Sequence, residues 1–291
     1  MINPVLLNKS GIQISVYGII CVVGLGIAWW LLSRENERSE LLLSLEERCD
    51  LFILVICGSL IGARIFYVGL NLSYYFGERI PWYECLKLWQ GGYSAFGGLL
   101  GGLLAGWIWC IITELQVGKV LDLLALPLFL GQSLVMLGSF INGETFGLPT
   151  RLPWGIIFHY GPAAKAYPGI PLHPVMLYQA ILYLAFFALI FSLRHMRFKP
   201  GFIASLYFLS YSLIRFFTSF FQVDVPKIYH FHAAHIFSII CFISAFTFVV
   251  SLDLYIPVPK QKYRKYHARS YKRKVPSKKY RKKTKLPFWQ T

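Results

Sequence analysis

The chain has 291 residues, of which 56% are hydrophobic and only 14% are charged. Soluble domains carry about a quarter charged residues, so this composition argues against a single water-soluble domain. It also excludes intrinsic disorder over most of the chain, because disorder requires low hydrophobicity and high charge. The net charge of +16 is concentrated in one segment, since Lys260–Lys285 holds 14 of the 29 lysines and arginines and no acidic residue.

Seven segments are long and apolar enough to cross a bilayer, which takes about 20 mostly apolar residues. They are 12–32, 51–70, 93–113, 120–141, 175–193, 201–221 and 233–254. The first has neither a basic leader nor a small-residue cleavage pattern, so we interpret it as a span and not as a cleaved signal peptide. We therefore predict an all-α, polytopic integral membrane protein, with a seven-helix membrane domain over 1–257 and a disordered basic cytoplasmic tail over 258–291.

The connecting segments differ in their basic residues, and this difference predicts the orientation. The N-terminus and the segments on its side (71–92, 142–174 and 222–232) together hold 6 lysines and arginines. The segments on the other side hold 7, or 21 with the tail. Cytoplasmic segments carry the basic excess, so we predict that the N-terminus lies outside and the C-terminus inside.

Two arginines, Arg64 and Arg215, lie within the predicted spans. Ionisable groups there are costly and usually face the bundle interior or a cavity, which makes them candidates for function. A guanidinium binds phosphate or carboxylate through two parallel hydrogen bonds, so we expect an anionic ligand such as a lipid phosphate. The alternative is a structural arginine that bonds backbone carbonyls or reaches the interface. Tyr211, Arg215 and Ser219 share one helix face because they are four residues apart, which makes the tyrosine and the arginine a donor pair for a phosphate.

Polar residues also gather where predicted spans four and five meet the membrane surface. Asn142 precedes a glycine, which is a turn signal, and Glu144 can fix this loop or orient an arginine. His173 stands before Pro174, which favours an extended conformation ahead of the fifth span. This histidine can serve as a hydrogen-bond partner or as a base, and the residues alone leave both open.

Predicted span three has a smooth face of small residues, and no metal site is expected in the chain. Glycines at 97, 98, 101, 102 and 106 line that face, which indicates either close helix packing or room for a lipid or peptide. The histidines at 230, 232 and 235 have only Asp224 near them, and the six cysteines show no C-x-x-C spacing. We therefore expect neither a metal nor another cofactor.

In this order, these residues resemble the prolipoprotein diacylglyceryl transferase family over about residues 12–252. The matching motifs are Val16-Tyr17-Gly18, 62–67 around Arg64, 89–98 with its two glycine pairs, 138–147, 152–158, 173–178, and Tyr211 with Arg215. A single motif is weak evidence, but seven in the same order are specific. The family has seven spans with its N-terminus outside and its C-terminus inside, which agrees with the charge distribution.

The resemblance implies transfer of the diacylglyceryl group of phosphatidylglycerol to the lipobox cysteine beside the signal peptide of a prolipoprotein. This step of lipoprotein biosynthesis implies a multi-pass protein of the bacterial cytoplasmic (inner) membrane. The catalytic residues that it implies are Tyr17, Tyr211 and Glu144. The substrate-binding residues that it implies are Arg64, Arg215, Asn142, Gly97, Gly98, Gly147 and His173.

Five positions depart from the family's pattern, and all five are polar in the family. Phe96 replaces a histidine, Met136 an arginine and Ser139 an asparagine, while Gln179 and Ser219 each replace a glutamate. Phenylalanine cannot accept a proton, and methionine cannot pair with a phosphate. An alternative function is therefore a catalytically weak or inactive paralogue that binds phospholipid or a lipoprotein precursor. A small-solute transporter is disfavoured, because no inverted repeat is visible.

The basic tail has a predicted role of its own. Without it the chain has 15 basic and 13 acidic residues, so the membrane domain is nearly neutral. Residues 260–285 are predicted to bind an anionic membrane surface, where each lysine or arginine contributes about 1 kcal/mol. Binding of nucleic acid through charge is the less favoured alternative.

Fusion reporters test the predicted orientation. A reporter placed after Thr291 should read cytoplasmic and one placed within the loop 142–174 should read external, because the basic excess lies with the tail. Finding both reporters on the same side of the membrane would refute the orientation.

Overall fold

The computed structural model of the chain describes residues 5–9, 12–76, 81–87, 92–193, 196, 198–223, 227–228 and 231–255. In chain order the elements are β1 (Val5–Lys9), β2 (Ile12–Ser15), α1 (Val16–Arg38), α2 (Leu45–Leu70), α3 (Leu72–Tyr75), a 3₁₀ helix (Trp82–Leu86), α4 (Ala95–Ile112), α5 (Val117–Asn142), α6 (Gly161–Ala166), α7 (Val175–Leu193), α8 (Phe202–Ser219), β3 (Lys227–Ile228), β4 (Phe231–His232) and α9 (Ala233–Ser251). The helices α1, α2, α4, α5, α7, α8 and α9 are long and apolar enough to cross a membrane. The predicted all-α fold with seven spans is confirmed, with two short antiparallel strand pairs beside the helices.

The first span starts later than the sequence predicts. Residues 12–15 form strand β2, and α1 begins only at Val16. The Ser15 hydroxyl accepts a hydrogen bond from the Gly18 amide at 3.1 Å, which satisfies one of the free amides at the helix start. Hydropathy does not register this boundary, because two of the three strand residues before the cap are isoleucines.

The second span starts earlier than the sequence predicts. Helix α2 begins at Leu45 and not at 51, because Ser44 and Glu47 form a capping box. In this box the Ser44 hydroxyl accepts from the Glu47 amide at 3.2 Å, and the Glu47 carboxylate accepts from the Ser44 amide at 2.8 Å. The other five spans agree with their predicted bounds to within three residues at either end.

Helices α2 and α4 pack backbone to backbone through glycines. A Cβ atom added to Gly97 would lie 2.5 Å from the carbonyl oxygen of Gly62, and one added to Gly101 would lie 2.2 Å from that of Gly58. A larger residue would push the helices apart, and close approach is what stabilises helix pairs in a membrane. The small-residue face of predicted span three is therefore a packing face in this structure.

Helix α8 is the least hydrophobic of the seven spans and also the most buried. It packs against α5, α7 and α9. Its hydroxyl groups donate to carbonyl oxygens one turn earlier in the same helix, at 2.5–2.7 Å, in Ser205, Ser210, Ser212 and Thr218. These bonds satisfy polar groups for which surrounding lipid would offer no partner.

The helix directions bring the predicted site residues to one end of the bundle. Successive spans run in opposite directions, so the starts of α1, α4, α7 and α9 lie at the same end as the ends of α2, α5 and α8. We refer to this as the site end. Arg64, Asn142, His173 and Arg215 all belong to helix ends or adjoining loops at the site end. Its predicted position outside the cytoplasm stays a prediction.

At the opposite end, an aspartate of α5 caps α8. Gly201 precedes α8 with a φ of 99° and has no side chain that could cap the helix. Asp122 instead accepts hydrogen bonds from the amides of Gly201 and Ala204, at 2.7 and 2.8 Å. The Lys199 ammonium donates to the carbonyl oxygen of Leu252 at 2.8 Å, just beyond α9. These bonds hold the start of α8 to α5 and to the end of α9.

Replacing Asp122 by alanine should destabilise the bundle, because it removes both hydrogen bonds to the start of α8. Loss of a helix cap costs about 0.5–2 kcal/mol, and each kcal/mol lowers the unfolding midpoint by about 2–4 °C in a chain of this size. The measurement is thermal unfolding of the purified protein in detergent. Asp50→Ala, which removes an exposed aspartate of α2, is the control. An unchanged midpoint for Asp122→Ala would contradict the capping role.

Candidate functional site

Two hydrogen-bond donors that have no partner within the described ranges lie one turn apart on α8, near the site end. Tyr211 is 2% exposed, and its hydroxyl has no hydrogen-bond partner among the residues that the structure describes. The Nε atom of Arg215 is likewise buried without a partner. An unsatisfied buried donor costs about 1–3 kcal/mol, and more when it is charged. The pair is therefore suited to an anion, because both groups are donors and lie one turn apart on the same face of α8.

The ring of Phe96, on α4, contacts both donors. The guanidinium carbon of Arg215 lies 5.7 Å from the ring centre, within the range of a cation–π interaction. The ring of Tyr211 meets the same phenylalanine edge to face at 5.8 Å. Met136 packs against the same apolar cluster. Two of the polar residues that the family pattern would supply are thus replaced by apolar side chains, of which Phe96 contacts both Tyr211 and Arg215.

Two tyrosines that the sequence analysis did not single out stack on Tyr211. Tyr183 of α7 and Tyr207 of α8 lie with their ring centres 6.4 and 6.1 Å from it. The side-chain nitrogen of Gln132 donates to the Tyr207 hydroxyl at 2.8 Å. The spacing of four residues between Tyr207 and Tyr211 is visible in the sequence, but only the fold brings Tyr183 against them.

Helix α7 adds a buried amide to these surroundings. Gln179 is 0% exposed, and its Nε2 donates to the hydroxyl of Thr218 at 2.8 Å. Its side-chain carbonyl oxygen has no partner within the described part of the chain. Ser219 is also buried and donates to the carbonyl oxygen of Phe216 at 2.9 Å. Of these two further departures from the family pattern, Ser219 lies on the turn of α8 that follows Arg215, and Gln179 of α7 contacts that turn through Thr218.

Arg64 has partners of its own. It is 4% exposed, and its guanidinium lies 5.3 Å from the ring centre of Tyr75. The carbonyl oxygens that accept hydrogen bonds from it, at 2.9, 3.0 and 3.2 Å, belong to Cys85, Glu84 and Gly92. This is the geometry of a structural arginine that holds the segment between α2 and α4. The contact between Arg64 and a substrate that the resemblance implies stays a prediction.

A second polar group gathers at the end of α5. The side-chain amide of Asn142 donates to the carboxylate of Glu144 at 2.5 Å, and the Glu144 backbone amide donates to the carbonyl of Ser139 at 3.0 Å. Glu144 therefore fixes its own loop. Tyr17 packs against Gly138, where an added Cβ would lie 2.9 Å from the tyrosine ring. Three of the predicted site residues thus lie together around this helix end.

Gly147 and His173 form a backbone junction at the site end. A Cβ atom on Gly147 would lie 2.6 Å from the carbonyl oxygen of His173 and 2.7 Å from that of Phe221. The His173 ring nitrogen lies 3.2 Å from the hydroxyl of Tyr178, which also accepts a hydrogen bond from the indole of Trp154 at 2.9 Å. These contacts favour the interpretation of His173 as a hydrogen-bond partner.

The remaining residues singled out in the sequence have other contacts or lie outside the described ranges. Gly98 faces α2, and a Cβ atom added to it would lie 3.5 Å from the carbonyl oxygen of Ser59. The predicted contacts of Gly97 and Gly98 with a substrate stay predictions. No three histidine, cysteine or acidic residues come together as a metal site within the described ranges. His230, Asp224 and the tail 260–285 lie outside those ranges.

The sequence matches known proteins over most of its length. The family model described as prolipoprotein diacylglyceryl transferase matches residues 4–251. A protein of Gloeobacter violaceus named phosphatidylglycerol–prolipoprotein diacylglyceryl transferase is 33% identical over 228 residues, which cover 76% of this chain and 82% of that protein. Proteins with the same name from Fusobacterium nucleatum and Thermotoga maritima are 30% and 31% identical, over 82% and 85% of this chain and 94% and 84% of their own lengths.

Gly147→Ala should destabilise the site end, because the new methyl group would meet two backbone oxygens that cannot rotate away as a side chain can. Overpacking of this kind costs about 1–3 kcal/mol. The measurement is the midpoint of thermal unfolding in detergent, which should fall. Gly26→Ala is the matched control, because a Cβ at that position of α1 meets no atom within 4 Å. Equal midpoints for the two variants would contradict the tight junction.

Proposed function

Because the chain belongs to the prolipoprotein diacylglyceryl transferase family, we propose that it transfers a diacylglyceryl group from phosphatidylglycerol to the cysteine of a prolipoprotein. The relatives at 30–33% identity carry that activity in their names. They do not favour the alternative, a weak or inactive paralogue that only binds lipid or lipoprotein precursor.

One structural observation supports a binding site for the lipid phosphate. The hydroxyl of Tyr211 and the Nε of Arg215 are buried donors without partners in the described chain. The phosphodiester of a phospholipid is an anion with free oxygens that can accept from both. The surroundings, which include the rings of Phe96 and Tyr183, are apolar, so attraction between guanidinium and phosphate is weakly screened. Arg215 lies about 6 Å along the helix from the end of α8, which is near headgroup depth.

In the proposed reaction, the cysteine sulfur attacks as a thiolate the diacylglyceryl carbon that bears the phosphate oxygen. A carbon–sulfur bond forms, the carbon–oxygen bond breaks, and glycerol phosphate leaves with the bonding electron pair. The proton lost by the thiol balances the charge gained by the leaving phosphate. A thiol is partly ionised near neutral pH, since its free pKa is about 8.5. The step is therefore compatible with Phe96 at the position where the family has a histidine.

The site residues have different proposed roles. Negative charge grows on the phosphate as the carbon–oxygen bond breaks, and donors already aimed at it would lower the barrier. Arg215 and Tyr211 are proposed to act in this way. Tyr17 and Glu144, which lie with Asn142 around the end of α5, are proposed to line the place where the cysteine enters.

A positioning role is proposed for the remaining members of the predicted site. Arg64 bonds the segment between α2 and α4, and Gly147 joins the loop after α5 to His173 at the start of α7. Gly97 allows α4 to approach α2 directly beside Phe96. These contacts support the walls of the site, so the residues would act through the groups that they hold.

The location of the protein follows from its spans and from the chemistry of its substrates. Seven apolar helices and bacterial relatives make it a multi-pass membrane protein. We propose that it lies in the cytoplasmic membrane, where phosphatidylglycerol and exported precursors are both present. The basic residues of 260–285 are proposed to bind the anionic surface of that membrane.

Arg215→Gln should reduce diacylglyceryl transfer about 100- to 1,000-fold, because loss of one electrostatic donor has an effect of that size on rate. Tyr211→Phe should have a smaller effect, because the donor that it removes is neutral. The measurement is transfer from phosphatidylglycerol to a synthetic lipobox peptide by the purified protein, with lipid binding measured in parallel.

Arg34→Gln is the matched control for this experiment. It removes an exposed arginine near the other end of the bundle, on α1. Transfer and lipid binding that are the same in Arg215→Gln and Arg34→Gln would reduce Arg215 to a structural residue. Wild-type protein that binds phosphatidylglycerol but never modifies the peptide would overturn the proposed function itself.

A further inference from the structure

We infer that Gln179 accepts a hydrogen bond from a hydroxyl group on the headgroup of the bound lipid, and that it thereby selects a glycerol headgroup. This inference rests on the proposed function, since it concerns the same lipid site. It starts from a side chain that is 0% exposed and whose carbonyl oxygen has no partner among the described residues.

The hydrogen bonds around Gln179 determine which way its amide points. Thr218 donates its hydroxyl proton to the carbonyl oxygen of Ile214 at 2.7 Å. A hydroxyl has one proton to donate, so Thr218 must accept in its 2.8 Å contact with Gln179. The group that faces Thr218 is therefore the NH₂ of the amide. The carbonyl oxygen points away from Thr218 and is left unpaired.

The helix contacts place Gln179 at about the level of the proposed phosphate site. Helices α7 and α8 run in opposite directions, with Tyr183 stacked on Tyr211. One turn before Tyr183, Gln179 bonds to Thr218. Arg215 stands on α8 between Tyr211 and Thr218. Gln179 therefore lies across from the turn of α8 that carries Arg215.

Gln179 carries an acceptor, and Tyr211 and Arg215 on the facing helix carry donors, that have no partner in the described chain, and this combination indicates what kind of ligand fits. Tyr211 and Arg215 offer hydrogens, which suits a phosphate, whereas Gln179 needs a hydrogen from the ligand. A phosphodiester has none to donate, but a glycerol headgroup carries hydroxyls a few bonds from its phosphate. A site built to bond a hydroxyl discriminates against an analogue that lacks it, because the buried acceptor then stays unpaired.

The first test changes the ligand and leaves the protein as it is. Binding of phosphatidylglycerol is compared with binding of phosphatidylpropanol, which has the same acyl chains and the same charge but no headgroup hydroxyl. We expect phosphatidylglycerol to bind about tenfold more tightly, the effect of one net hydrogen bond. Native mass spectrometry of the full chain in detergent measures both affinities. Equal affinities would overturn the inference.

The second test changes the acceptor. Gln179→Leu keeps the approximate size of the side chain and should abolish the preference, by weakening phosphatidylglycerol binding and leaving phosphatidylpropanol binding unchanged. Gln132→Leu is the matched control, because Gln132 also has an unpaired carbonyl oxygen but bonds to Tyr207, two turns from Arg215. It should keep the tenfold preference. A preference that survives Gln179→Leu, or one lost in Gln132→Leu, contradicts the assignment.

The outcomes separate this inference from the proposed function. Wild-type protein that binds both lipids equally, with both affinities reduced in Arg215→Gln, would leave the phosphate site standing and remove only the role of Gln179. Wild-type protein that binds neither lipid would remove the lipid site and the inference with it. Should Gln179→Leu fail to fold, the comparison of the two lipids on wild-type protein decides the inference.

Discussion

The hydrocarbon core of a bilayer offers no hydrogen-bond partners, and this constraint explains why most polar groups of α8 are paired within the bundle. Hydroxyl groups along that helix donate to carbonyl oxygens of the same helix, and Asp122 of α5 satisfies the amides at its start. Several buried polar groups near the site end do not follow this rule, and three of them belong to the proposed lipid site. The hydroxyl of Tyr211, the Nε of Arg215 and the carbonyl of Gln179 are buried and have no partner among the described residues, which is a cost that the proposed lipid headgroup would remove.

Some of the residues that depart from the family pattern lie near one another in the fold, although they are far apart in the sequence. Phe96 and Met136 belong to one apolar cluster, and Phe96 contacts both Tyr211 and Arg215. Gln179, on α7, bonds to Thr218 on the turn of α8 that follows Arg215. Apolar walls raise the strength of any charge interaction inside them. In the proposed mechanism, Arg215 would therefore act on the phosphate in surroundings that increase its effect.

The two intramembrane arginines show where sequence reasoning stops. Both are charges in apolar spans, and the same argument makes both of them candidates for an anion site. Arg64 is bonded to the carbonyls of the segment between α2 and α4, whereas the Nε of Arg215 has no partner among the described residues. The difference arises because the segment between α2 and α4 brings its carbonyl oxygens to Arg64. The sequence pattern of neither helix encodes the path of that segment.

The sequence by itself determined the seven spans and the family, because hydrophobic length and motif order are properties of continuous segments. It also indicated that Tyr211 and Arg215 share a face, because residues four apart on one helix are neighbours. Only the tertiary structure decided what surrounds them. Gln179 meets Thr218 across 39 residues of chain, and Phe96 comes from a third helix. Such contacts depend on how separate helices pack, and packing in a membrane depends on the shapes of facing surfaces and not on hydropathy.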